Sequence, residues 1–149
     1  MYTIHHTPCP NPALAARLTQ VWQSSVRATH TFLTEENILR IQGQVQQMLP
    51  ACQQLYTVRD DAGAEVAFLG MDAQKIEMLF VDAAHCGRGI GKMLLQYALH
   101  TLGATAVDVN EQNPETAGFY AHFGFVVYAK SPDDGQGNPF PILHMRLPT

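Results

Sequence analysis

The strongest constraint on the fold is a stretch in which a strand pattern, a glycine-rich loop and a helix pattern follow one another. The strand pattern is Lys75–Val81, and the loop contains Gly87, Gly89 and Gly91. The helix pattern repeats apolar residues at helical spacing, namely Ile90, Met93, Leu94, Tyr97 and Ala98. A second apolar strand pattern follows at 106–109. Because the helix carries the chain back across the sheet, these two strands must run parallel.

The remaining hydrophobic patterns predict a chain of the mixed α/β (α+β) class. Strand patterns lie at 2–5, 55–59, 65–69, 125–128 and 142–147, the second and third forming an antiparallel hairpin. Helix patterns run from residue 13 onward, from 35 to 49 behind the cap Thr34, and from Pro114 towards Gly124. We therefore expect a single domain over 1–149, with a mixed sheet flanked by about four helices.

Composition limits the classes of partner. The chain has 149 residues, and 46% of them are hydrophobic, which is enough to close one core. Nine basic residues stand against thirteen acidic ones, so the formal net charge is -4. Phosphate backbones and anionic lipid attract such a chain weakly, so we expect neither a nucleic acid nor a membrane as partner.

Targeting and metal-binding patterns are absent from the sequence. The N-terminal residues lack the charged and apolar regions of a signal peptide, and no apolar run could span a bilayer. We therefore expect a soluble, cytoplasmic protein. Cys9, Cys52 and Cys86 form no paired motif and are interpreted as free thiols. The seven histidines show no ligand spacing, so we predict no metal site.

The glycine-rich loop is a predicted anion site, because its glycines leave backbone N–H groups unhindered where the positive end of a helix dipole begins. A phosphate or pyrophosphate fits this arrangement. A nucleotide-binding P-loop would need glycine at Cys86 and a hydroxyl at Met93, so it fails at two positions. A dinucleotide fingerprint would need glycine at Lys92. Asp108 follows about 20 residues on, as a ribose-binding acid would, so a nicotinamide-dependent enzyme remains an alternative.

Residues 81–95 resemble the acetyl-CoA motif of the GCN5-related N-acetyltransferase (GNAT) superfamily. In that motif Gln or Arg is followed, after two residues, by Gly, any residue, and Gly or Ala. Gly89 and Gly91 match, whereas Cys86 replaces the Gln or Arg, which removes one contact to the pyrophosphate. Arg88 or Lys92 could compensate. The resemblance implies that acetyl-CoA is bound by Cys86, Gly87, Arg88, Gly89, Ile90, Gly91 and Lys92.

A second segment carries the same resemblance. Residues 113–125 are similar to a family pattern that Asn113, Tyr120, Gly124 and Phe125 match, with another residue in place of its common alanine. The two motifs have the family's order and spacing, so the resemblance covers nearly the whole chain. It implies the GNAT fold, with a splayed mixed sheet. Further likeness to the bacterial YjaB-like acetyltransferases lies at Trp22, Ser25, 28–30, 32–33, 109–113 and 139–141.

The resemblance also implies a reaction. An unprotonated primary amine attacks the thioester carbonyl of acetyl-CoA in a ternary complex, passing through an oxyanion before the CoA thiolate leaves. Backbone N–H groups of Leu79, Phe80 and Val81 would pair with the pantetheine arm and polarise the carbonyl. Tyr120 would protonate the thiolate, since a phenol has a pKa of about 10 and a thiol about 8.5. The alternative interpretation of Tyr120 is a core aromatic.

Three further residues have two interpretations each. Glu77 would act as base, directly or through water, or is a solvent-facing strand residue. His30, beside Phe32 between the first two helices, would hold or deprotonate the amine in the acceptor pocket, or is a packing histidine. Asn113 would contact the cofactor or a water, and it is equally well interpreted as a helix N-cap.

A noncatalytic CoA-sensing module of the same fold is the rival hypothesis from another class. Tyr120 favours catalysis, because a sensor needs no acid beside the thiolate. The sequence leaves open which amine is the acceptor: a protein N-terminus, a lysine, a polyamine, an amino acid or an antibiotic. It also leaves open whether the protein is a monomer or a homodimer.

Overall fold

A seven-stranded mixed sheet organises the computed structural model, which describes residues 1–148. The strands are β1 (Thr3–His6), β2 (Gln54–Arg59), β3 (Glu65–Asp72), β4 (Lys75–Val81), β5 (Ala106–Asn110), β6 (Val126–Ser131) and β7 (Ile142–Arg146). Their order across the sheet is β1-β2-β3-β4-β5-β7-β6. The β4–β5 pair is parallel and every other pair is antiparallel, which confirms the predicted crossover and the predicted hairpin.

Four α-helices flank the sheet: α1 (Pro12–Thr29), α2 (Glu35–Met48), α3 (Ile90–His100) and α4 (Pro114–His122). Side-chain caps fix three of their starts. Asn11 accepts a hydrogen bond from the Leu14 N–H at 2.9 Å, and Thr34 forms a reciprocal capping box with Asn37. Asn113 caps α4. The mixed α+β class with a seven-stranded sheet and four helices is as predicted.

Each face of the sheet carries its own apolar core. On the first face, α3 and α4 cover strands β3 to β5 with fully buried residues such as Leu94, Leu95 and Phe125. On the second, α1 and α2 pack Leu18, Trp22 and their neighbours against Leu55, Phe68 and Met78. Because both faces are covered, the middle of β3 from Val66 to Met71 is buried and wholly apolar.

The central strands β4 and β5 pair only at their beginnings. Lys75 pairs with Ala106 and Ile76 with Val107, and no later residue of either strand pairs across this boundary. Beyond these two pairs the strands diverge, β4 staying with β3 and β5 with β7. The predicted splay of the sheet is therefore present, with its vertex beside Ile76 and Val107.

Several predicted boundaries differ from the structure by one to three residues; the strand predicted at 65–69, for example, continues to Asp72. The strand predicted at 125–128 is β6, which begins at Val126 and continues to Ser131. Phe125 lies instead in the turn that follows α4, where its N–H donates to the Tyr120 carbonyl. Ser131 pairs with Ile142 and so belongs to the sheet rather than to the loop that follows. In residues 1–148, no helix combines the length and the apolarity needed to cross a bilayer.

The first core can be tested at α3, which positions the glycine-rich loop. Leu94→Ala removes a fully buried side chain and leaves a cavity, so the free energy of unfolding should fall by about 2–5 kcal/mol. Urea denaturation measures the change. Leu39→Ala is the matched control, since Leu39 is 57% exposed and its truncation should leave stability nearly unchanged. Equal losses in the two variants would contradict this packing.

Candidate active site

A cavity of about 380 Å³, which we call the gap cavity, lies where β4 and β5 diverge. Five separate parts of the chain meet in its walls. The lining includes His30, Glu77, Leu79, Val81, Cys86, Gly91, Asp108, Asn113 and Tyr120. The cavity therefore joins the glycine-rich loop, the open edge of β4 and the tyrosine of α4 in one place.

The open edge of β4 presents backbone groups to the gap cavity. The N–H of Asp82 donates to the Val66 carbonyl of β3 at 2.8 Å, which fixes the side from which β4 bonds β3. Hydrogen-bonding sides alternate along a strand, so Phe80 also bonds β3, whereas Leu79 and Val81 face the gap. Of the three predicted backbone donors, Leu79 and Val81 are thus available to a ligand. Phe80 contributes its ring, which packs against Phe68.

Glu77 is the extra residue of a β-bulge at the vertex of the splay. Met78 pairs with Gly70 and Ile76 with Met71, so Glu77 has no partner on β3. A bulge bends its strand and redirects a side chain. Here it lies immediately after Ile76, the last residue of β4 paired with β5, and the Glu77 carboxylate lines the gap cavity.

The glycine-rich loop ends at the start of α3 in the conformation that an anion site requires. Gly87 and Gly89 have φ of 78° and 80°, the left-handed region that disfavours other residues. Gly89 precedes α3 and offers no side-chain cap. The first N–H groups of the helix, from Ile90 onward, therefore remain free to bind an anion.

Three side chains of the loop and the first turn of α3 flank these N–H groups along the chain. Cys86, Arg88 and Lys92 are all exposed, and only Cys86 lines the gap cavity. Arg88 donates from Nη1 to the Tyr2 hydroxyl at 3.2 Å, which holds its guanidinium beside the loop. Tyr2 in turn contacts His85 at 3.0 Å. Two cations thus accompany the N–H groups where Cys86 supplies no charge.

Tyr120 is 4% exposed and lies on the wall of the gap cavity. Its ring packs edge-on against Phe119 and Phe125. Among residues 1–148 its hydroxyl has no hydrogen-bond partner, although that oxygen is not fully enclosed by protein. Burial raises the pKa of Tyr120 above its ordinary range, so the phenol keeps its proton and is available as a donor.

The two polar side-chain atoms of Asn113 differ in their hydrogen bonding. Its Oδ1 accepts a hydrogen bond from the Thr116 N–H at 3.3 Å, which caps α4. Its Nδ2 is buried without a partner among the residues that the structure describes. An unpaired buried donor costs free energy, so its place on the gap cavity suits a ligand with an acceptor group.

Beyond the vertex, polar side chains form a continuous network. Lys75 Nζ lies 2.6 Å from Asp108 Oδ2 and 3.7 Å from Glu77 Oε1. His144 Nδ1 lies 2.7 Å from Asp108 Oδ1, and His144 Nε2 lies 2.6 Å from Ser131 Oγ. Partial burial opposes the charge of Lys75, but the hydrogen bond to Asp108 and nearby negative groups raise its pKa. Lys75 is thus held as an ammonium.

Two further cavities open from the same vertex. The aromatic cavity, about 200 Å³, lies between the α1–α2 connection and the 131–141 segment, and Phe32 and Phe140 meet there at 5.6 Å. The acidic cavity, about 390 Å³, is lined by Lys75, Glu77, Asp108, Ser131, Asp133, Asp134 and His144 among others. Glu77 and Asp108 line both, as well as the gap cavity. The three cavities therefore converge on these two carboxylates.

His30 lies at the C-terminal end of α1, between the gap and aromatic cavities. Its Nδ1 is 2.7 Å from the Thr29 hydroxyl, and its ring packs against Phe32 at 5.5 Å. Burial lowers the pKa of His30 to about 4. The imidazole is consequently neutral at physiological pH and lies close to Phe32, as the sequence suggested.

The sequence missed the polar network beyond the vertex. Asp108 entered only as a ribose-binding acid in the dinucleotide alternative, and Ser131 and His144 did not enter as site residues. The structure instead engages the Asp108 carboxylate with Lys75 and His144. The observation that could have revealed this network is the pairing of β5 with β7, which places Asp108 directly opposite His144. Neither segment reveals that register by itself.

Comparison with known proteins agrees with this geometry. A family model described as an acetyltransferase (GNAT) domain matches residues 51–127. The peptidyl-lysine N-acetyltransferase YjaB of Salmonella typhimurium is 35% identical over 132 residues, which cover 89% of this chain and 90% of that protein. YjaB of Escherichia coli is 34% identical over 128 residues, 86% of each.

Solved structures show the same architecture. The solution structure of the apo form of Escherichia coli YjaB superimposes with a TM-score of 0.86 at 30% identity, covering 98% of this chain and 97% of that one. The PaiA N-acetyltransferase from Thermoplasma acidophilum, crystallised with coenzyme A, has a TM-score of 0.72 at 20% identity. Its coverage is 98% of this chain and 99% of that one.

The neutral state of His30 predicts how stability depends on pH. An unfolded histidine takes up a proton near pH 6.5, whereas folded His30 does so near pH 4. The stabilisation that favours neutral His30 is fully present above pH 6.5 and declines as pH falls from there to about 4. In His30→Gln, the free energy of unfolding should therefore fall less over that interval.

Urea denaturation at pH 7 and pH 4.5 measures this effect. His100→Gln, at an exposed position in the last turn of α3, is the control and should behave as the parent chain does. An unchanged pH dependence in His30→Gln would show that His30 is not buried in its neutral form.

Proposed function

The chain belongs to the GNAT acetyltransferase family, and we propose that it transfers the acetyl group of acetyl-CoA to the side-chain amine of a peptidyl lysine. The observation that supports this most is the convergence of three cavities on Glu77 and Asp108. One cavity has the groups that suit acetyl-CoA, and the other two suit a cationic acceptor. The lysine acceptor follows the name of the YjaB relatives.

The residues of the gap cavity fit acetyl-CoA. The free N–H groups at the start of α3 suit its pyrophosphate, with Arg88 and Lys92 supplying the positive charge that Cys86 lacks. The open backbone edge at Leu79 and Val81 suits the amide groups of its pantetheine arm. The orphaned Asn113 Nδ2 offers one more donor. When bound, acetyl-CoA supplies an activated acyl group.

Two kinds of donor in the gap cavity match the needs of acyl transfer. Backbone N–H groups on β4 are fixed before any reaction, so they polarise a carbonyl without reorganisation. The Tyr120 hydroxyl is protonated and has no hydrogen-bond partner among residues 1–148, so it can donate its proton to a departing thiolate. Burial raises the pKa of the phenol, but desolvation raises that of a thiol in the same site as well. The proton transfer therefore depends on the difference between the pKa of the phenol and the pKa of the thiol.

The acceptor side combines apolar walls with negative charge. Phe32, next to His30, and Phe140 offer the aliphatic stem of a lysine an apolar surface in the aromatic cavity. Glu77 and Asp108 at the vertex attract its ammonium group. We assign to Glu77 this electrostatic role in presenting the amine to the gap cavity.

The separate entrances support a ternary complex. The glycine-rich loop lies at one side of the sheet gap, whereas the aromatic and acidic cavities approach the vertex from the 131–141 segment. Both substrates can be bound together, with the amine next to the carboxylates and the acyl group next to Tyr120. Direct attack then needs no covalent enzyme intermediate.

Calorimetric titration tests the cofactor. We expect saturable binding of acetyl-CoA and none of NAD or ATP, because the loop fails the nucleotide motifs at the positions given above. Cys86→Arg should bind acetyl-CoA several-fold more tightly, since it restores a charged contact to the pyrophosphate. Absence of acetyl-CoA binding in both forms would refute the proposed function, and preference for NAD would revive the dinucleotide alternative.

Turnover with a lysine peptide tests catalysis. Tyr120→Phe should keep acetyl-CoA affinity within about twofold and lower kcat by about 100-fold or more, because a general acid is lost. Tyr97→Phe is the matched control, since Tyr97 packs on Tyr56 outside the gap cavity and should retain activity. A parent chain that binds acetyl-CoA but acetylates no amine would support the CoA-sensing rival. Full activity in Tyr120→Phe would remove the acid role.

A further inference from the structure

Side chains from three neighbouring strands form a hydrogen-bonded row next to the vertex. The row runs from Ser131 of β6 to His144 of β7, at 2.6 Å, and from His144 to Asp108 of β5, at 2.7 Å. Strand register explains the contacts. Asp108 lies directly opposite His144, and Ser131, which pairs with Ile142, is its diagonal neighbour on the same face.

The partners of His144 determine the direction of each hydrogen bond. A carboxylate only accepts, so the Nδ1–H of His144 donates to Asp108. The neutral imidazole then has Nε2 as its acceptor, and the Ser131 hydroxyl donates to it. Nε2 can take up one proton, and Asp108 stabilises the imidazolium that results. Both residues line the acidic cavity, so the Ser131 hydroxyl can relay a proton from a group bound there to this nitrogen.

The charged groups around His144 favour a cation in this cavity. Each neighbouring element contributes at least one titratable group. The sheet provides Lys75 and Glu77 from β4, Asp108 from β5, Tyr128 from β6 and Arg146 from β7. The loop between β6 and β7 provides Asp133 and Asp134. Arg146 stacks over the Tyr128 ring at 4.4 Å, and Lys75 is paired with Asp108. Asp133 and Asp134 form no ion pair among residues 1–148, and Glu77 forms only the longer one with Lys75, at 3.7 Å, so these three carboxylates face an incoming ammonium.

We propose that His144, oriented by Asp108 and reached through the Ser131 hydroxyl, is the base that removes the proton from the acceptor ammonium. This inference rests on the proposed function and adds the residue that makes the amine nucleophilic. An alkyl ammonium is a non-nucleophile until it loses a proton, and Lys75 cannot take that proton because its ammonium is already charged. Imidazole is the side chain best suited to proton exchange near neutral pH.

The proton transfer balances without any other reactant. One N–H bond of the ammonium breaks as its proton passes to Ser131 Oγ, while the proton of that hydroxyl passes to His144 Nε2. The products are a neutral amine with its lone pair, an intact serine and an imidazolium hydrogen-bonded to Asp108. The imidazolium later returns its proton to water through the open mouth of the acidic cavity.

Nucleophilic attack by Ser131 is the other reaction that serine, histidine and aspartate in a row support in proteins. It would build negative charge on an oxyanion next to the serine. Glu77, Asp133 and Asp134 line the same cavity, and their carboxylates would oppose that charge. The N–H groups of Gly135 and Gln136, which could otherwise stabilise an oxyanion, already donate to Asp133 and Asp134. The surroundings therefore favour proton removal from a cation.

The test is the pH profile of kcat at saturating acetyl-CoA and lysine peptide, from pH 6.5 to 9.5. At neutral pH, His144→Gln should lower kcat by about 100-fold, the loss typical of a missing general base. The deficit should shrink to below about tenfold at pH 9.5, since the lysine amine itself loses its proton near pH 10.4. His144→Ala should regain activity at neutral pH when imidazole is added. His100→Gln, at an exposed position, is the control.

Each outcome separates this inference from the proposed function. If His144 has only a structural role, its substitution should lower kcat by the same factor at every pH, and imidazole should restore no activity. That result would overturn the inference while leaving the proposed acetyl transfer intact. An unchanged kcat in His144→Gln would do the same. A parent chain without turnover on any lysine peptide would overturn both. Acetyl-CoA affinity and the melting temperature, measured on each variant, show that the fold and the cofactor cavity persist.

Discussion

The separation of β4 from β5 after two residue pairs is the constraint on which the rest of the structure depends. Backbone groups inside a protein need partners, so an open strand edge in the middle of a sheet is costly unless a ligand or water completes it. Here the edge belongs to Leu79 and Val81, and it forms one wall of the gap cavity. The same divergence makes room for Tyr120 and brings the carboxylates of Glu77 and Asp108 to the vertex.

The two apolar cores hold this opening in place from opposite faces. The α3–α4 face fixes the glycine-rich loop and Tyr120, while the α1–α2 face fixes His30 and the aromatic cavity. In the proposed function, acetyl-CoA and the acceptor therefore reach a common point from elements that belong to different packing units. A rigid vertex between two cores suits a reaction that requires two substrates in a defined relative position.

The sequence predicts the elements well because their signals are local. The cap Asn113 and the apolar stripe of α3 each follow from a few neighbouring residues. Contacts between residues that are far apart in the sequence could not be predicted in this way. The bulge at Glu77, the register that places Asp108 opposite His144, and the convergence of three cavities depend on how strands pair across the sheet. Several registers would satisfy the same alternation of apolar residues.

The central claim is that acetyl-CoA completes the open edge of β4, and amide hydrogen exchange measured by NMR tests it residue by residue. With saturating acetyl-CoA, the N–H groups of Leu79 and Val81 should become protected by about tenfold or more, because they gain hydrogen-bond partners in the gap. The N–H of Phe80 already bonds β3 and should change little, which makes it the internal control. Unchanged exchange at Leu79 and Val81, with acetyl-CoA demonstrably bound, would contradict the account.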